Sequence, residues 1–301
     1  MRLAEMSERP TVSVLMTVYN AAPWLREAID SIIDQTHRDW ELIAVDNGST
    51  DTSAAILDTY EDERIKVLRQ PENIGRTPAL RYAFELAQGR YIAVLDADDV
   101  SEPARLEKQI EFLDCHPQVS VVGTWVIRIN DVGAEVGRWS PSTDPAELLD
   151  SLGFENPIVH SAAMYRADMA RAIGGYPVDF PYAQDAALWL RLAERGPIAV
   201  IGEFLSKHRT LAVGMTRSKD SRVLVARDSL ALLEYAASRL RLSTLARRRN
   251  REETTIARCR YAIALLRNQR LCAAAALLLR AIVGDPRGVV WNRVYRAALL
   301  D

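Results

Sequence analysis

Three carboxylates close a short apolar run in YIAVLDADD, residues 91–99, and no other stretch of the chain carries so strong a chemical signal. Residues 91–95 are rich in strand formers and cannot share one helical face, so they predict a strand buried on both sides. In an extended backbone, residues two apart project to the same side, which brings Asp96 and Asp98 together beyond the strand's carboxyl end. Crowded carboxylates repel one another unless a cation joins them, and hard oxygen ligands favour Mg²⁺ or Mn²⁺. A plainer reading makes Asp99 or Ser101 the cap of a helix opened by Pro103 and carried by Leu106, Ile110 and Leu113. Capping accounts for one acidic residue and leaves Asp96 and Asp98 to the metal.

The preceding sequence supplies the elements that must position these groups. An apolar run over residues 12–18 ends in Tyr19-Asn20, and Pro23 opens an amphipathic helix with Trp24, Leu25, Ala28, Ile29, Ile32 and Ile33 on its apolar face. The pattern repeats: a strand over residues 41–45, a turn at Asp46-Asn47-Gly48-Ser49, and a helix over 52–60 with Ser49 or Asp51 as cap. A third strand over 65–68 leads through Asn73-Ile74-Gly75 to a helix over 77–87, ended by Gly89. Strands alternating with helices at this spacing predict an α/β fold with a mostly parallel sheet and right-handed crossovers. Three strand ends then share one edge: Thr17 and Tyr19, Asp46 and Asn47, and Asp96, Asp98 and Asp99. Open α/β sheets bind ligands at such an edge. The chain has no GxGxxG and no GxxxxGK[ST], so a nucleotide bound here needs a metal to neutralise its diphosphate.

The totals set bounds on this picture. With 49% hydrophobic and 26% charged residues among 301, the chain has an ordinary globular composition and material for a large core. Cys115, Cys259 and Cys272 form no CxxC and read as reduced thiols, which predicts a cytoplasmic protein. MRLAEMSERP has no apolar run of the kind a secretory signal needs. The net charge of −2 hides an asymmetry: residues 217–301 carry 18 Lys plus Arg against 7 Asp plus Glu, whereas residues 1–216 carry 20 against 33. That basic tail suits an anionic membrane surface or acceptor, or equally a solvated helical face. No nucleic-acid partner is expected.

The order TVYN, VDNGSTD, NIG and LDADD, over about residues 10–215, resembles the nucleotide-sugar domain of family 2 glycosyltransferases, which have the GT-A fold. Each piece alone is weak, and the four in this order are specific. The resemblance implies that Tyr19 and Asp46 border the nucleoside, that Asp96 lies near the ribose, and that Asp98 binds Mn²⁺ or Mg²⁺. It departs from the family pattern at Asn47, where a second aspartate is more usual, and at Arg76 and Arg81, in place of aliphatic residues and asparagine. Either arginine could reach a base or a phosphate, although surface solvation is the plainer expectation for both.

Further on, residues 119–126 predict another strand and 133–143 an irregular segment whose Trp139 could stack on a sugar or simply cover a loop. Asn156-Pro157-Ile158-Val159-His160 and Gly174-Gly175-Tyr176 resemble the family's acceptor-side loops, which makes His160 and Gly175 candidates. The stretch QDAALWLRLAERG starts a helix at Asp185, with Leu188, Trp189 and Leu192 on its apolar face. An acidic residue there also suits the helix dipole. By resemblance, Asp185 is the general base of a single, inverting displacement, and Gln184 stands where glutamate is usual. Around Arg209, the family's tyrosine-arginine-any-histidine segment would place its histidine at Leu211, so His208, a candidate metal ligand, is displaced by three positions.

Residues 221–301 read as helical: 223–240, a break at Arg247-Arg248-Arg249-Asn250-Arg251, then 254–266, 273–283 and 289–300. The expected organisation is a catalytic unit over 1–216 and a basic helical appendage over 217–301 that packs on the unit, pairs with a second copy or lies on a membrane. The expected activity is metal-dependent, inverting transfer of a sugar from a nucleoside diphosphate to the hydroxyl of a glycan or glycolipid in surface polysaccharide or glycolipid assembly. Nucleotidyl transfer would use the same carboxylates with a glycine-rich loop and lysine that residues 12–20 lack. A non-catalytic nucleotide-sugar-binding scaffold accommodates Asn47, Gln184 and Leu211 as well.

Overall fold

The computed structural model describes residues 9–211 and 219–284. Strand β1 (Val12–Val18), helix α1 (Leu25–Ile33), β2 (Trp40–Asn47), α2 (Ser53–Leu57), β3 (Ile65–Gln70), α3 (Arg76–Leu86) and β4 (Tyr91–Val94) follow one another in the expected alternation. β1 pairs in parallel with β2 and with β4, and β2 pairs in parallel with β3. Val18 lies opposite Asp46, and Leu15 opposite Val94, so the three strands end together at one edge.

After β4 the chain makes β5 (Val100–Ser101), α4 (Arg105–Cys115), β6 (Val121–Ile129), β7 (Glu135–Trp139), α5 (Pro145–Leu152), β8 (Met164–Arg166), α6 (Ala167–Ala172), α7 (Gln184–Ala193) and β9 (Ile198–Arg209). The sheet runs β3-β2-β1-β4-β8-β6-β9-β5, with β7 paired to β6 outside that path. It is parallel through β4 and mixed beyond, because β8 runs antiparallel to both β4 and β6 while β6 and β9 are parallel.

Side-chain alternation along the strands builds a core on each face of the sheet. In β4 and just after it, Ile92 and Val94 join Leu15, Ala83, Phe84 and Trp189 on one face; Tyr91, Ala93 and Leu95 join Val14, Met16, Ile29 and Leu106 on the other. Removing a buried aliphatic side chain such as Leu95 should cost about 2–5 kcal/mol. Behind β4 lies a fully buried cation, Arg105. Its guanidinium donates to the carbonyls of Val94 (2.8 Å) and Ala163 (3.2 Å), to Ser101 Oγ (3.0 Å) and to Gln109 Oε1 (3.1 Å). Burial pulls its pKa down to about 9, with the charge of Asp99 opposing. Those bonds fix the backbone from which the aspartates project.

Several local expectations are corrected. Helix α4 begins at Arg105 with no side-chain cap at Ala104, so neither Asp99 nor Ser101 caps it. Residues 133–143 contain the strand β7, whose outward, Gly137-interrupted sequence hides the alternation. The arginine cluster at 247–251 breaks nothing. Arginine is a good helix former, and α9 (Thr244–Arg267) runs straight through it, capped by Ser243 Oγ, which accepts from the amide of Ala246 at 3.2 Å. α8 (Lys219–Arg239) and α10 (Leu271–Gly284) flank it, and the helix expected at 289–300 lies outside the described residues.

These helices are tied to the sheet unit by buried polar contacts as well as by packing. Ala236 of α8 belongs to the same core as Trp189. Asn250 of α9, 2% exposed, donates to the carbonyls of Gly153 (2.6 Å) and Leu233 (2.9 Å). Asp228 of α8, 1% exposed, accepts from the amide of Tyr182 at 3.2 Å, three residues before Asp185. Among the described residues, no helix is long and apolar enough to cross a membrane.

Candidate active site

The turn after β2 is stitched to the loop after β3. Asp46 is buried, and its Oδ1 accepts the Ser49 amide at 3.0 Å. Asn47 accepts the Ile74 amide through Oδ1 (3.0 Å) and donates through Nδ2 to Asn73 Oδ1 (3.1 Å). A carboxylate cannot make that second bond, so the departure from the family's aspartate has a structural use here. Gly48 is obligatory: its φ is +72°, and a Cβ would meet the Glu72 backbone carbon at 2.5 Å. Tyr19, 46% exposed, and half-buried Thr17 border this pocket at the end of β1.

Arg76 does not lie at the solvent surface. From the first position of α3 it turns inward, and one Nη2 lies 2.6 Å from each oxygen of Asp96 and 2.9 Å from His160 Nδ1. Its Nε is buried without a partner. Burial opposes the charge of Asp96, but the Arg76 cation and the hydrogen bond with His160 hold that carboxyl well below the usual carboxylate range. His160 Nδ1 also lies 3.3 Å from Asp96 Oδ1, and its Nε2 is 3.0 Å from the Tyr176 hydroxyl. Burial raises the Tyr176 phenol. Arg81, by contrast, makes the expected surface pair, with Glu85 at 3.1 Å.

Asp98 and Asp99 have other surroundings. Asp99, 1% exposed, accepts from the Arg209 amide (2.7 Å) and lies 3.1 Å from His208 Nδ1. Burial works against the His208 cation, and Asp99 with its neighbouring carboxylates prevails, so the imidazole titrates above its usual range. Arg209 braces this corner by donating to the Asp98 carbonyl (2.7 Å) and to Glu27 Oε2 (2.7 Å). Among the described residues no side chain donates to the Asp98 carboxylate. Burial, then the charges of Asp99 and Asp96, push its pKa up to about 7.

One oxygen from each of Asp96, Asp98 and Asp99 falls within 4.8 Å of the others. This crowded, under-neutralised oxygen set fits a hard divalent ion. His208 stands beside the set as a partner of Asp99.

Asp185 lies in the first turn of α7 and accepts from Asn156 Nδ2 at 2.8 Å. Its charge, like those of Asp96 and Asp98, acts on Arg76, and with Asp96 it acts on Tyr176, so the base candidate and the carboxylate cluster face the same buried cation. Gly175, with φ +69°, packs so closely on Phe84 that a Cβ would approach its ring to 2.7 Å, close to Tyr176 rather than to solvent. Trp139 stands apart on β7, opposite Val126 and 37% exposed, with no hydrogen bond to the cluster among the described residues. Sequence reasoning missed Asn156 and Tyr176 as contacts of the site, and also Ser161, whose Oγ accepts the Asp96 amide at 3.1 Å. Only their place in the loops around His160 and Gly175 pointed to them.

The fold and the carboxylate cluster are those of a glycosyltransferase, and comparison with known proteins agrees. The model of glycosyl transferase family 2 matches residues 13–174, and the chain belongs to that family. It is a glycosyltransferase, which sets aside the nucleotidyltransferase and scaffold alternatives. It is 36% identical over 196 residues to the putative glycosyltransferase EpsE of Bacillus subtilis, an alignment covering 64% of this chain and 69% of that one. Over 107 residues it is 47% identical to the putative teichuronic acid biosynthesis glycosyltransferase TuaG of the same organism, covering 35% and 42%.

Among solved structures, Staphylococcus aureus TarS 1–349 in complex with UDP-GlcNAc is similar at a TM-score of 0.66 and 16% identity, with 91% of this chain and 81% of that one covered. The mannosyltransferase PcManGT of Pyrobaculum calidifontis, in complex with GDP-Man and Mn²⁺, gives 0.59 at 22% identity, covering 97% and 81%. At those identities the likeness is one of fold, and the fold is GT-A.

Proposed function

We propose that this protein transfers a sugar from a nucleoside-diphosphate donor to an acceptor hydroxyl, with Mn²⁺ or Mg²⁺ and inversion at the anomeric carbon, in surface polysaccharide or glycolipid synthesis at the cytoplasmic side of a membrane. The observation that carries this reading is the cluster of Asp96, Asp98 and Asp99 at the end of β4, with Arg76 feeling the charges of Asp96, Asp98 and Asp185. Residues 1–216 serve as the catalytic unit and 217–301 as the basic helical region beside it. The complexes of TarS with UDP-GlcNAc and of PcManGT with GDP-Man and Mn²⁺ support the donor class.

Tyr19, Thr17, Asp46 and Asn47 border the nucleoside, Asp96 with Arg76 faces the ribose and diphosphate, and Asp98 with Asp99 would hold the ion, with His208 beside them. A divalent ion bound there supplies electrostatic stabilisation to the departing nucleoside diphosphate. Asp185 takes the acceptor's hydroxyl proton while that oxygen bonds to the anomeric carbon, and the electrons of the broken C–O bond leave on the diphosphate. Asn156 fixes the carboxylate of Asp185 by hydrogen bonding. His160 and Gly175 shape the acceptor side, with Trp139 at its periphery.

A thermal-shift panel of UDP, GDP and dTDP, with and without Mn²⁺, tests the reading. One nucleotide should raise Tm in a metal-dependent way, and the rise should vanish in Asp98→Ala. Stabilisation by none of them, or equally without metal, contradicts it.

A further inference from the structure

A groove of about 1340 Å³ runs between α7 of the sheet unit and the helices α8 and α9. That exceeds the roughly 300–1,000 Å³ of an ordinary small-molecule site. Its walls are largely aliphatic, with Leu190 of α7, Val225 and Leu232 of α8 and Ile263 of α9 among them. Arg260 and Arg267, two helical turns apart on one stripe of α9, also line it, and neither makes an ion pair or hydrogen bond to another described residue. Glu155, Arg222 and Glu253 complete its charged lining, three arginines against two glutamates.

One lining residue joins this groove to the chemistry. Asn156 lines it and donates its Nδ2 hydrogen to Asp185 Oδ2 at 2.8 Å. The groove therefore adjoins the segments on either side of that carboxylate, through Asn156 and through Ala186, the residue that follows Asp185. The walls are also rigidly built, since buried Asn250 ties α9 to Gly153 and to α8, and buried Asp228 ties α8 to the loop before Asp185. An aliphatic wall offers a bare glycan few partners for its hydroxyls. A chain-like apolar group bearing an anion meets both the wall and the two arginines, whose planar forks suit phosphate oxygens.

We propose that this groove is the acceptor site and that the acceptor is a phosphate-bearing glycolipid, its apolar chain against α7, α8 and α9, its phosphate at Arg260 and Arg267, and its sugar end at Asn156. The proposal rests on Asp185 being the base. It makes the basic helical region a part of the active site.

Titration calorimetry on the full-length chain tests it, with dodecyl phosphate below its micelle concentration as probe and inorganic phosphate and dodecyl maltoside as controls. Dodecyl phosphate should bind saturably and at least tenfold more tightly than either control. The double variant Arg260→Glu/Arg267→Glu, on an exposed stripe, should weaken it at least tenfold, as should Ala226→Trp, which fills the groove. UDP or GDP binding with Mn²⁺ should change less than twofold in both variants, and Asp185→Asn should bind dodecyl phosphate as the unaltered chain does. Binding that is indifferent to the arginine pair, or matched by either control, overturns the glycolipid site. Loss of metal-dependent nucleotide binding in the unaltered chain overturns the proposed reaction instead, so the two failures are separable.

Discussion

Asp96 and Asp98 stand two residues apart at the end of one strand, in opposite electrostatic surroundings. Asp96 has a cation on both oxygens and an imidazole beside it, and it titrates low despite burial. Asp98 has burial and two like charges, receives no side-chain donor among the described residues, and titrates at about 7. The chain has neutralised one carboxylate internally and left the other with no side-chain donor among the described residues, which is what the proposed divalent ion would supply. In this account Asp96 is a positioning group already satisfied by Arg76, and Asp98 is the group whose cost is relieved only when the divalent ion arrives.

The largest effect should come from outside that pair and bound its meaning. Asp185→Asn should lower turnover by about 10²–10⁴-fold while leaving donor affinity within twofold, as removal of a general base does. Steady-state kinetics beside a nucleotide titration checks this, and full turnover would move the base role elsewhere. Asp98→Ala should lower transfer by roughly 10²–10³-fold, the usual loss when a group that stabilises leaving charge is removed. Chelation of the unaltered enzyme should reproduce that loss and added Mn²⁺ should reverse it. A variant that chelation still inactivates to the same degree would locate the ion away from Asp98.

Arg76→Met should remove the difference between the two carboxylates. The loss of charge-assisted bonds to a partly exposed Asp96 should cost about 1–3 kcal/mol, measurable as a lower denaturant midpoint. An unchanged midpoint would mean that the pair contributes nothing.

The smallest effect concerns pH. Folding raises the Asp98 pKa from 3.8 to about 7, so the metal-free folded chain holds that proton more tightly than the unfolded one. The stabilisation is complete below the unfolded value and is lost as pH rises through about 7. Asp98→Asn should therefore raise the Tm of chelated protein at pH 8 relative to pH 4. The rise at pH 8 should be several degrees, since each 1 kcal/mol relieved shifts Tm by roughly 2–4 °C in a domain this large. An equal shift at both pH values would remove the electrostatic explanation.

The sheet edge was legible in the sequence because strand periodicity and motif order speak about neighbours along the chain. β1, β2 and β4, and with them Thr17, Tyr19, Asp46 and Asp96, fell where expected. Long-range partnerships were not legible. Arg76 and Arg105 look like surface cations in one dimension, yet each turns inward to groups 20 and 11 residues away respectively. The cluster at 247–251 looked like a break because charge was read as a turn signal, whereas helix propensity and the Ser243 cap govern α9. Trp139 had the chemistry of a sugar platform, and its place on the hairpin of β6 and β7 could not be read from its own segment.

Free Mn²⁺, followed by its electron paramagnetic resonance signal during titration into the unaltered chain, Asp98→Asn and Asp96→Asn with UDP or GDP present, tests the contrast most directly. The account predicts at least tenfold weaker Mn²⁺ binding in Asp98→Asn and less than threefold in Asp96→Asn. Equal losses, or the larger loss at Asp96, would contradict it.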